Sequence, residues 1–229
     1  MKRFWKEVSV VRKGDGFGIM LDGRLVRTPG RVPLSVPGDA LAEAISEEWR
    51  CVAEDIDPRA MPLTGLANAA IERIMPDPAA FAAGLAQYGE SDLLYYRAEA
   101  PEPLIERQQA AWDPLLDWAR GRYDVHFETT AGVMHRAQPE ATVARLGEAV
   151  AARDAFELAG LSPLVTVTGS LVAALALLEG AADAETVWRA ARIDGDWQAE
   201  LWGEDDLALQ TAAAHRADFD AGARFLSLL

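Results

Sequence analysis

Alternation of apolar and polar residues marks roughly the first forty residues as β-structure. The stretch FWKEVSVVRK alternates, and Phe17, Ile19 and Leu21 alternate again before Asp22-Gly23, which is a strong two-residue hairpin signal. Prolines at positions 29, 33 and 37 confine the following stretch, RVPLSVPG, to an edge strand or an extended loop. The pattern predicts a small antiparallel sheet.

From Asp39 onward the apolar period becomes that of a helix. One predicted face carries Leu41, Ala44, Ile45, Trp49 and Val52, and the polar face carries Glu43, Ser46, Glu47 and Arg50. Further helices are predicted over residues 63–74, 78–88 and 102–123, the last with a kink or a restart at Pro114.

The rest of the chain is predicted to be helical as well. Two helices are expected at about Pro139 to Leu158 and Ser162 to Leu178, the second with Ser162 and Pro163 as its cap and first turn. Its apolar run is shorter than the roughly 20 residues that a membrane span needs, so we expect a buried helix and no direct membrane insertion. A terminal helical arm follows from Ala184.

These elements predict an α+β fold, in which a small N-terminal antiparallel β domain is followed by a larger all-helical domain. The β domain is expected to span residues 1–38, or to extend to about residue 60. The helical domain is expected to span residues 39–229 and to end in a long acidic helical arm. No fixed-period repeat is present in the sequence.

The net charge of the chain limits the kinds of macromolecule that it is expected to bind. The chain has 22 Lys plus Arg against 36 Asp plus Glu, a formal charge of -14. Nucleic acids and anionic lipids draw most of their affinity from basic patches, so neither is an expected partner, and a cationic or mixed protein surface suits this chain better. The single cysteine, Cys51, excludes an intramolecular disulfide, fits a reducing compartment and is expected to be a small buried hydrophobic residue.

Motifs for chemistry are missing from the sequence. His126, His135 and His215 lie in different elements without metal-ligand spacing, and no Gly-x-Ser-x-Gly or P-loop pattern occurs. We therefore expect no catalytic residue, no metal site, no cofactor and no small-molecule substrate. The N-terminus has no apolar signal region, so export is not expected either.

The middle of the terminal arm has an unusual composition. Six carboxylates surround three large apolar side chains, and no Lys or Arg occurs between Arg192 and Arg216. The carboxylates are Asp194, Asp196, Glu200, Glu204, Asp205 and Asp206, and the apolar side chains are Trp197, Leu201 and Trp202. Glu200 and Glu204 would be like-charged neighbours on a helix, which folding does not require. The segment is either a solvated acidic face or a recognition surface for a basic partner.

An ordered set of segments resembles the assembly chaperones that hold the α subunit of F1-ATPase. The set consists of RFWKEV, GFGIMLDGRLVRTP, VPGDALAEAISEEW, MPLTGLANAAIERI, ESDLLYYRAEAPEPLIERQQAAWDPLLDWARGRYDV, TVTGSLVAALAL and WQAELWGED. The resemblance implies a non-enzymatic chaperone that shields the free α subunit until it meets the β subunit. Relatives of this kind occur in mitochondria and in α-proteobacteria, and the absence of a transit-like leader together with the Ala- and Arg-rich usage leads us to expect an α-proteobacterial, cytoplasmic member.

The resemblance also implies where the partner binds. The functional carboxylate of the family follows the Trp-Gly of the terminal arm, which is Trp202-Gly203 here, so Glu204 is the corresponding position and Asp205 and Asp206 are alternatives in register. With Glu200, Trp197 and Trp202 these residues form the predicted partner-binding set. This chain has LALQ at positions 207–210, where several relatives carry an acidic residue and a His.

Two alternatives stay open from the sequence alone. A general protein-binding adaptor would use the same surface for a wider range of partners. A metal-dependent enzyme that uses clustered carboxylates would bind a divalent cation, and specific binding of that cation would stabilise the fold.

Overall fold

Two turns that need left-handed backbone shape the N-terminal sheet. Strand β1 (Val8–Lys13) pairs antiparallel with β2 (Gly16–Leu21) around a turn in which Gly14 has a φ of 61°. Asp22 and Gly23, with φ values of 46° and 76°, turn β2 into β3 (Arg24–Leu25), as a two-residue hairpin requires. The short strand β4 (Ser35–Val36) also pairs with β2. The predicted antiparallel sheet is confirmed.

Helix α1 (Asp39–Cys51) carries the apolar stripe that the sequence predicts, with Leu41, Ile45 and Trp49 buried. The indole nitrogen of Trp5 donates a hydrogen bond of 3.3 Å to the carbonyl of Trp49. One assignment was wrong, because Ser46 lies fully buried rather than on the polar face. A serine is small enough to fit at a close contact of the helix with its neighbours.

Helix α2 (Pro62–Ala69) begins under a cap from a distant residue. The carboxylate of Glu48 accepts hydrogen bonds of 2.8 Å from the backbone N–H groups of Leu63 and Thr64. These bonds satisfy two of the donors that every helix start leaves open. A π-helical turn over Ala70–Ile74 extends α2, and helix α3 (Pro78–Ala86) follows.

The remaining part of the chain is mostly helical. Helix α4 (Glu102–Tyr123) continues through Pro114 without a restart, contrary to one of the two expectations. Two short strands, β5 (Tyr96–Arg97) and β6 (Thr130–Ala131), form a parallel pair. The helices that follow are α5 (Glu140–Ala151), α6 (Ala155–Thr168), α7 (Leu171–Leu178), α8 (Ala184–Trp202) and α9 (Asp206–Ser227).

The predicted helix break at Ser162 was wrong. Helix α6 runs through Pro163, and it starts where Asp154 accepts hydrogen bonds from the N–H groups of Phe156 and Glu157. Helix α6 ends just before Gly169, whose φ of 69° is a conformation that favours glycine. Ser170 caps α7, because its hydroxyl accepts a hydrogen bond from the N–H of Ala173. The side-chain caps and the positive φ fix the breaks here, whereas the proline does not.

The computed structural model describes residues 2–203 and 205–229. Its backbone contacts group these residues into two compact units. The first unit holds the chain up to Pro78 together with Asp154–Gly160 and Arg224–Leu229, and the second holds Ala79–Arg153 and Leu161–Ala223. A compact unit need not fold independently, so the domain boundary near residue 38 or 60 stays a prediction.

Buried side chains of the second unit join its helices. The indole nitrogen of Trp112 in α4 donates a bond of 2.8 Å to the carbonyl of Ala190 in α8. Asp92 is fully buried and accepts bonds from the N–H groups of Leu94 (3.0 Å) and Val172 (2.9 Å). The predicted class, a small antiparallel sheet followed by a mostly helical region, is confirmed.

Candidate protein-interaction surface

The last two turns of α8 place a tryptophan and a carboxylate beside a cation that comes from α4. Arg107 of α4 lies with its guanidinium carbon 4.8 Å from the centre of the Trp197 ring. Its Nη1 donates to both carboxylate oxygens of Glu200, at 2.7 and 2.9 Å. This contact lowers the pKa of Glu200 through the hydrogen bonds from Arg107. Glu200 and Trp197 therefore have an intramolecular partner that is 93 positions away from Glu200.

Two further carboxylates of α8 are also engaged. Asp194 accepts a bond of 2.7 Å from the side-chain amide of Gln108, which is itself buried. Asp196 accepts a bond of 3.1 Å from Arg192 one turn earlier in the helix. These contacts give Asp194 and Asp196 partners within the protein, and they leave the end of α8 as the part of the arm whose composition still needs an explanation.

Helix α8 ends at a large exposed side chain. Trp202 is the last helical residue and is 77% exposed, and Leu201 beside it is also exposed. Gly203 follows with φ 77° and ψ 174°, a conformation that only glycine adopts without strain. The turn at Gly203 separates α8 from α9, so the predicted long arm consists of two helices.

The residues after this turn have different roles. The carboxylate of Asp205 accepts a bond of 2.7 Å from the N–H of Ala208 and so caps α9. Asp206 lies exposed in the first turn of α9, and Leu207 next to it is exposed as well. Glu204, the position that the family resemblance favours, lies outside the described residues.

We call the residues Trp202, Asp205, Asp206 and Leu207 the terminal surface. The side chains of these four residues are an indole, a leucine and two carboxylates. They lie close together in the sequence and are exposed to solvent. Tryptophan is enriched among the residues that dominate binding energy in protein interfaces, and charges around such an anchor set the rate and register of association. The arrangement can bind a protein surface that offers an apolar pocket next to cations.

A second exposed feature gave no signal in the sequence. Val133 and Met134, in the loop that follows β6, are among the most exposed large apolar side chains of the second unit. Exposure of a single Val-Met pair cannot be read from its flanking residues, since the stretch TTAGVMHR has neither a strand nor a helix period. The structure alone reveals it.

Two of the three histidines and the cysteine contact neighbouring polar side chains. His135 Nδ1 lies 3.1 Å from the hydroxyl of Tyr96, and His126 Nε2 lies 3.4 Å from Glu128. Within residues 2–203 and 205–229, His, Cys, Asp and Glu form no group of three or more that could hold a metal ion. Cys51 is exposed, with its sulfur 3.5 Å from Glu47, so its expected burial was wrong. It occupies the last residue of α1, at the end of the apolar stripe.

None of the helices in the described ranges combines the length and apolar character that a membrane crossing needs.

The chain resembles known chaperones in sequence. Residues 2–120 match the profile of the ATP12 chaperone protein family. The chain is 23% identical to the mitochondrial protein atp12 of Schizosaccharomyces pombe over 214 residues, which cover 88% of this chain and 74% of that protein.

Solved structures of bacterial proteins resemble it more strongly. Atp12 from Paracoccus denitrificans is 45% identical, with a TM-score of 0.94 over 99% of this chain and 97% of that one. An aspartate-to-lysine mutant of the same Atp12p gives a TM-score of 0.95 at 44% identity, over 99% and 97% of the two chains. A chaperone candidate from Agrobacterium tumefaciens is 40% identical, with a TM-score of 0.93 over 99% of this chain and 85% of that one.

Proposed function

The chain belongs to the ATP12 chaperone protein family, and from this premise we propose that it binds the free α subunit of F1-ATPase. It shields the subunit interface of the α subunit until the β subunit takes its place. A subunit that waits for its partner exposes an apolar interface, which makes it prone to aggregate. A chaperone can cover such an interface by binding alone, so the proposal requires no catalysis and no cofactor.

The observation that carries this proposal is the exposure of Trp202 beside carboxylates at the turn between α8 and α9. Folding gains nothing from an indole that is 77% exposed. An interface does gain from it, because the indole brings a large apolar area with few rotatable bonds.

Within the predicted partner-binding set, the residues support the proposal to different degrees. Trp202 and Asp206 are the proposed contact residues, since both are exposed. Trp197 and Glu200, which pack with Arg107, are proposed to hold the end of α8 in place and to border the contact. Asp205 is proposed to act mainly as the cap of α9. Glu204 remains a proposed contact on the family resemblance alone.

The setting we propose is the bacterial cytoplasm, which is where the two chains of F1 would meet. The structural relatives from Paracoccus and Agrobacterium support a bacterial protein of this kind. The surplus of acidic side chains, 36 against 22 basic ones, favours a client surface that carries Lys and Arg.

The test is to mix purified α subunit with this chain and to follow light scattering and size-exclusion elution. We expect a complex that suppresses aggregation of the α subunit and that releases it when the β subunit is added. The β subunit alone serves as the control client and should not be bound. Failure to bind free α subunit would refute the proposal.

The adaptor and the metal-dependent enzyme predict other outcomes. Affinity capture from a lysate would return several unrelated partners for an adaptor, and one client for a dedicated chaperone. A saturable rise in melting temperature with magnesium or manganese would favour the enzyme.

A further inference from the structure

The segment over residues 129–137, which contains β6 and leads to α5, is held by hydrogen bonds at its neck, between Glu128 and Gln138, and at its base, where β5 pairs with β6. At the neck, the side chain of Gln138 donates to the carbonyl of Glu128 (2.8 Å) and accepts from the N–H of Glu128 (3.0 Å). At the base, the pairing of β5 with β6 continues into a bond of 2.8 Å from the N–H of Gly132 to the carbonyl of Arg97. We call residues 129–137 the pinned loop.

Two apolar side chains of the pinned loop are exposed to solvent. Val133 is 92% exposed and Met134 is 78% exposed. Directly after them, His135 contacts the hydroxyl of Tyr96 at 3.1 Å. The chain therefore has a hydrogen bond on each side of the Val-Met pair, at Gly132 and at His135. Apolar side chains that an ordered loop keeps exposed are typical of binding surfaces, since burial in a partner would be favourable and folding does not use them.

A cavity of about 470 Å³ opens beside this loop. Its walls come from the segment before α4, from α4 itself, from the pinned loop and from α8, all within the second unit. Six of the lining residues are Leu93, Leu104, Gly132, Val133, Trp197 and Gln198. The volume lies within the range of pockets that hold small ligands, and it is large enough for one bulky side chain.

The cavity adjoins the residues of the proposed client contact. Trp197 lines it, and Trp202 lies five positions further along the same helix. Because a helix brings positions three and four residues apart onto one face, Gln198 and Trp202 share a face of α8. The pinned loop, the cavity and the end of α8 therefore lie along one side of the helix.

The exposed charge at the rim of the cavity is negative, whereas the positive charge that lines it is largely buried. Glu99 and Asp194 both line it, and Glu99 is exposed. The lining cation, Arg97, is largely buried, with an exposed fraction of 12% for its side chain. It donates to Asp113 at 2.7 Å and lies 5.0 Å from the Trp112 ring, while its Nε and Nη1 are buried, have no hydrogen-bond partner among the described residues and do not face solvent. A ligand that approaches from solvent meets apolar surface with a carboxylate rim.

We propose that the pinned loop and this cavity form a second anchor site for the client. The occupant is an amphipathic segment of the F1 α subunit that inserts one large apolar side chain between Val133 and Trp197. Lysine or arginine residues next to that side chain face Glu99 and Asp194. This inference rests on the proposed function, and it extends the contact from the terminal surface to a loop outside the terminal arm.

The test uses the double variant Val133→Ser/Met134→Ser in the full chain. Both side chains are exposed, so the melting temperature should stay at the wild-type value. The dissociation constant for free α subunit should rise by at least about tenfold, because two apolar contacts are lost. The matched control is Val32→Ser/Met75→Ser, which removes exposed apolar side chains from the first unit and should bind as the wild type does.

A synthetic peptide separates this inference from the proposed function. The probe is amphipathic, with lysines on one face and a single phenylalanine on the other, and binding is followed by fluorescence anisotropy. We expect the wild type to bind it, the loop double variant to bind it at least about tenfold more weakly, and a glutamate-for-lysine peptide not to bind.

The outcomes are then distinct. If the wild type binds the peptide through the loop but does not bind the α subunit, the proposed function fails and the α subunit is overturned as the occupant, while the loop and cavity stand as a site for a basic amphipathic segment. If the α subunit binds equally well to the wild type and to the loop double variant, the anchor site is overturned and the proposed function stands. An acidic peptide that binds as tightly as the basic one would also overturn the anchor site.

Discussion

The interior of the second unit and the terminal surface use the same two residue types in opposite ways. In the interior, Trp112 and Asp92 are fully buried, and each polar group of these side chains meets a backbone partner. At the terminal surface, Trp202 is 77% exposed and Asp206 lies in solvent at the start of α9.

This difference separates side chains that folding needs from those that it does not. A buried tryptophan with a satisfied N–H stabilises the protein through packed area and through its hydrogen bond. An exposed tryptophan keeps its apolar surface in water, so it stabilises only a complex. Variants at the two places should therefore have opposite profiles of stability and client binding.

The largest expected effect is in the interior. Trp112→Ala removes the bond to Ala190 and leaves a cavity, so the free energy of unfolding should fall by about 3 to 5 kcal/mol. Urea unfolding followed by circular dichroism measures it. Trp202→Ala is the matched control and should change the free energy by less than about 0.5 kcal/mol. Equal losses at both sites would remove the distinction between them.

A smaller effect concerns pH and Asp92. Burial raises the pKa of Asp92 from its ordinary value of 3.8 to about 6. Between these values the unfolded chain releases the proton while the folded chain keeps it, so the contribution of Asp92 to stability is greatest below pH 3.8 and is lost as the pH rises through 6.

The measurement compares the wild type with Asp92→Asn, which cannot titrate. From about pH 5 to about pH 7.5, the unfolding free energy of the wild type should fall relative to that of the variant by about 1 kcal/mol. A difference that rises with pH would mean that the bonds from Leu94 and Val172 outweigh burial and lower the pKa.

The helices and turns could be predicted from the sequence more completely than the exposed surfaces. The stripe of α1 and the hairpin at Asp22-Gly23 follow from local periodicity and turn chemistry, and both are confirmed. One break before Ser162 was predicted where the structure has two, because Pro163 looks like a helix start, while the actual signals are Asp154 before α6 and Gly169 with Ser170 before α7.

Tertiary contacts explain the rest of what the sequence did not reveal. No Lys or Arg occurs between Arg192 and Arg216 in the sequence, yet Arg107 reaches Glu200 from 93 positions away. Exposure is also a tertiary property, so Val133 and Met134 could not be recognised in advance. Trp202 was predicted as a contact residue from the acidic composition around it and from the family resemblance, and its exposure was not predicted.

An effect of similar size is expected at the edge of the terminal surface. Asp205→Ala removes the cap of α9 and should lower the free energy of unfolding by about 1 kcal/mol. Amide hydrogen exchange at Ala208 should become faster, since its N–H bonds to the carboxylate of Asp205, whereas the N–H of Leu209 bonds to the backbone carbonyl of residue 205, which the variant keeps. Asp205→Asn, which retains a capping oxygen, should behave like the wild type. Unchanged exchange in the alanine variant would show that the cap is not needed.

The central claim is that Trp202 and Asp206 of the terminal surface serve a partner and not the fold. Its most direct test is Trp202→Ser/Asp206→Lys, with the dissociation constant for free F1 α subunit and the free energy of unfolding measured on the same sample. The matched control is Phe4→Ser/Asp15→Lys, which changes an exposed aromatic and an exposed carboxylate in the first unit.

We predict that the terminal variant binds the α subunit at least about tenfold more weakly, with less than about 1 kcal/mol lost in the free energy of unfolding. The control should bind as the wild type does. Unchanged binding by the terminal variant, or a loss of binding that only follows a loss of folded protein, would contradict the account.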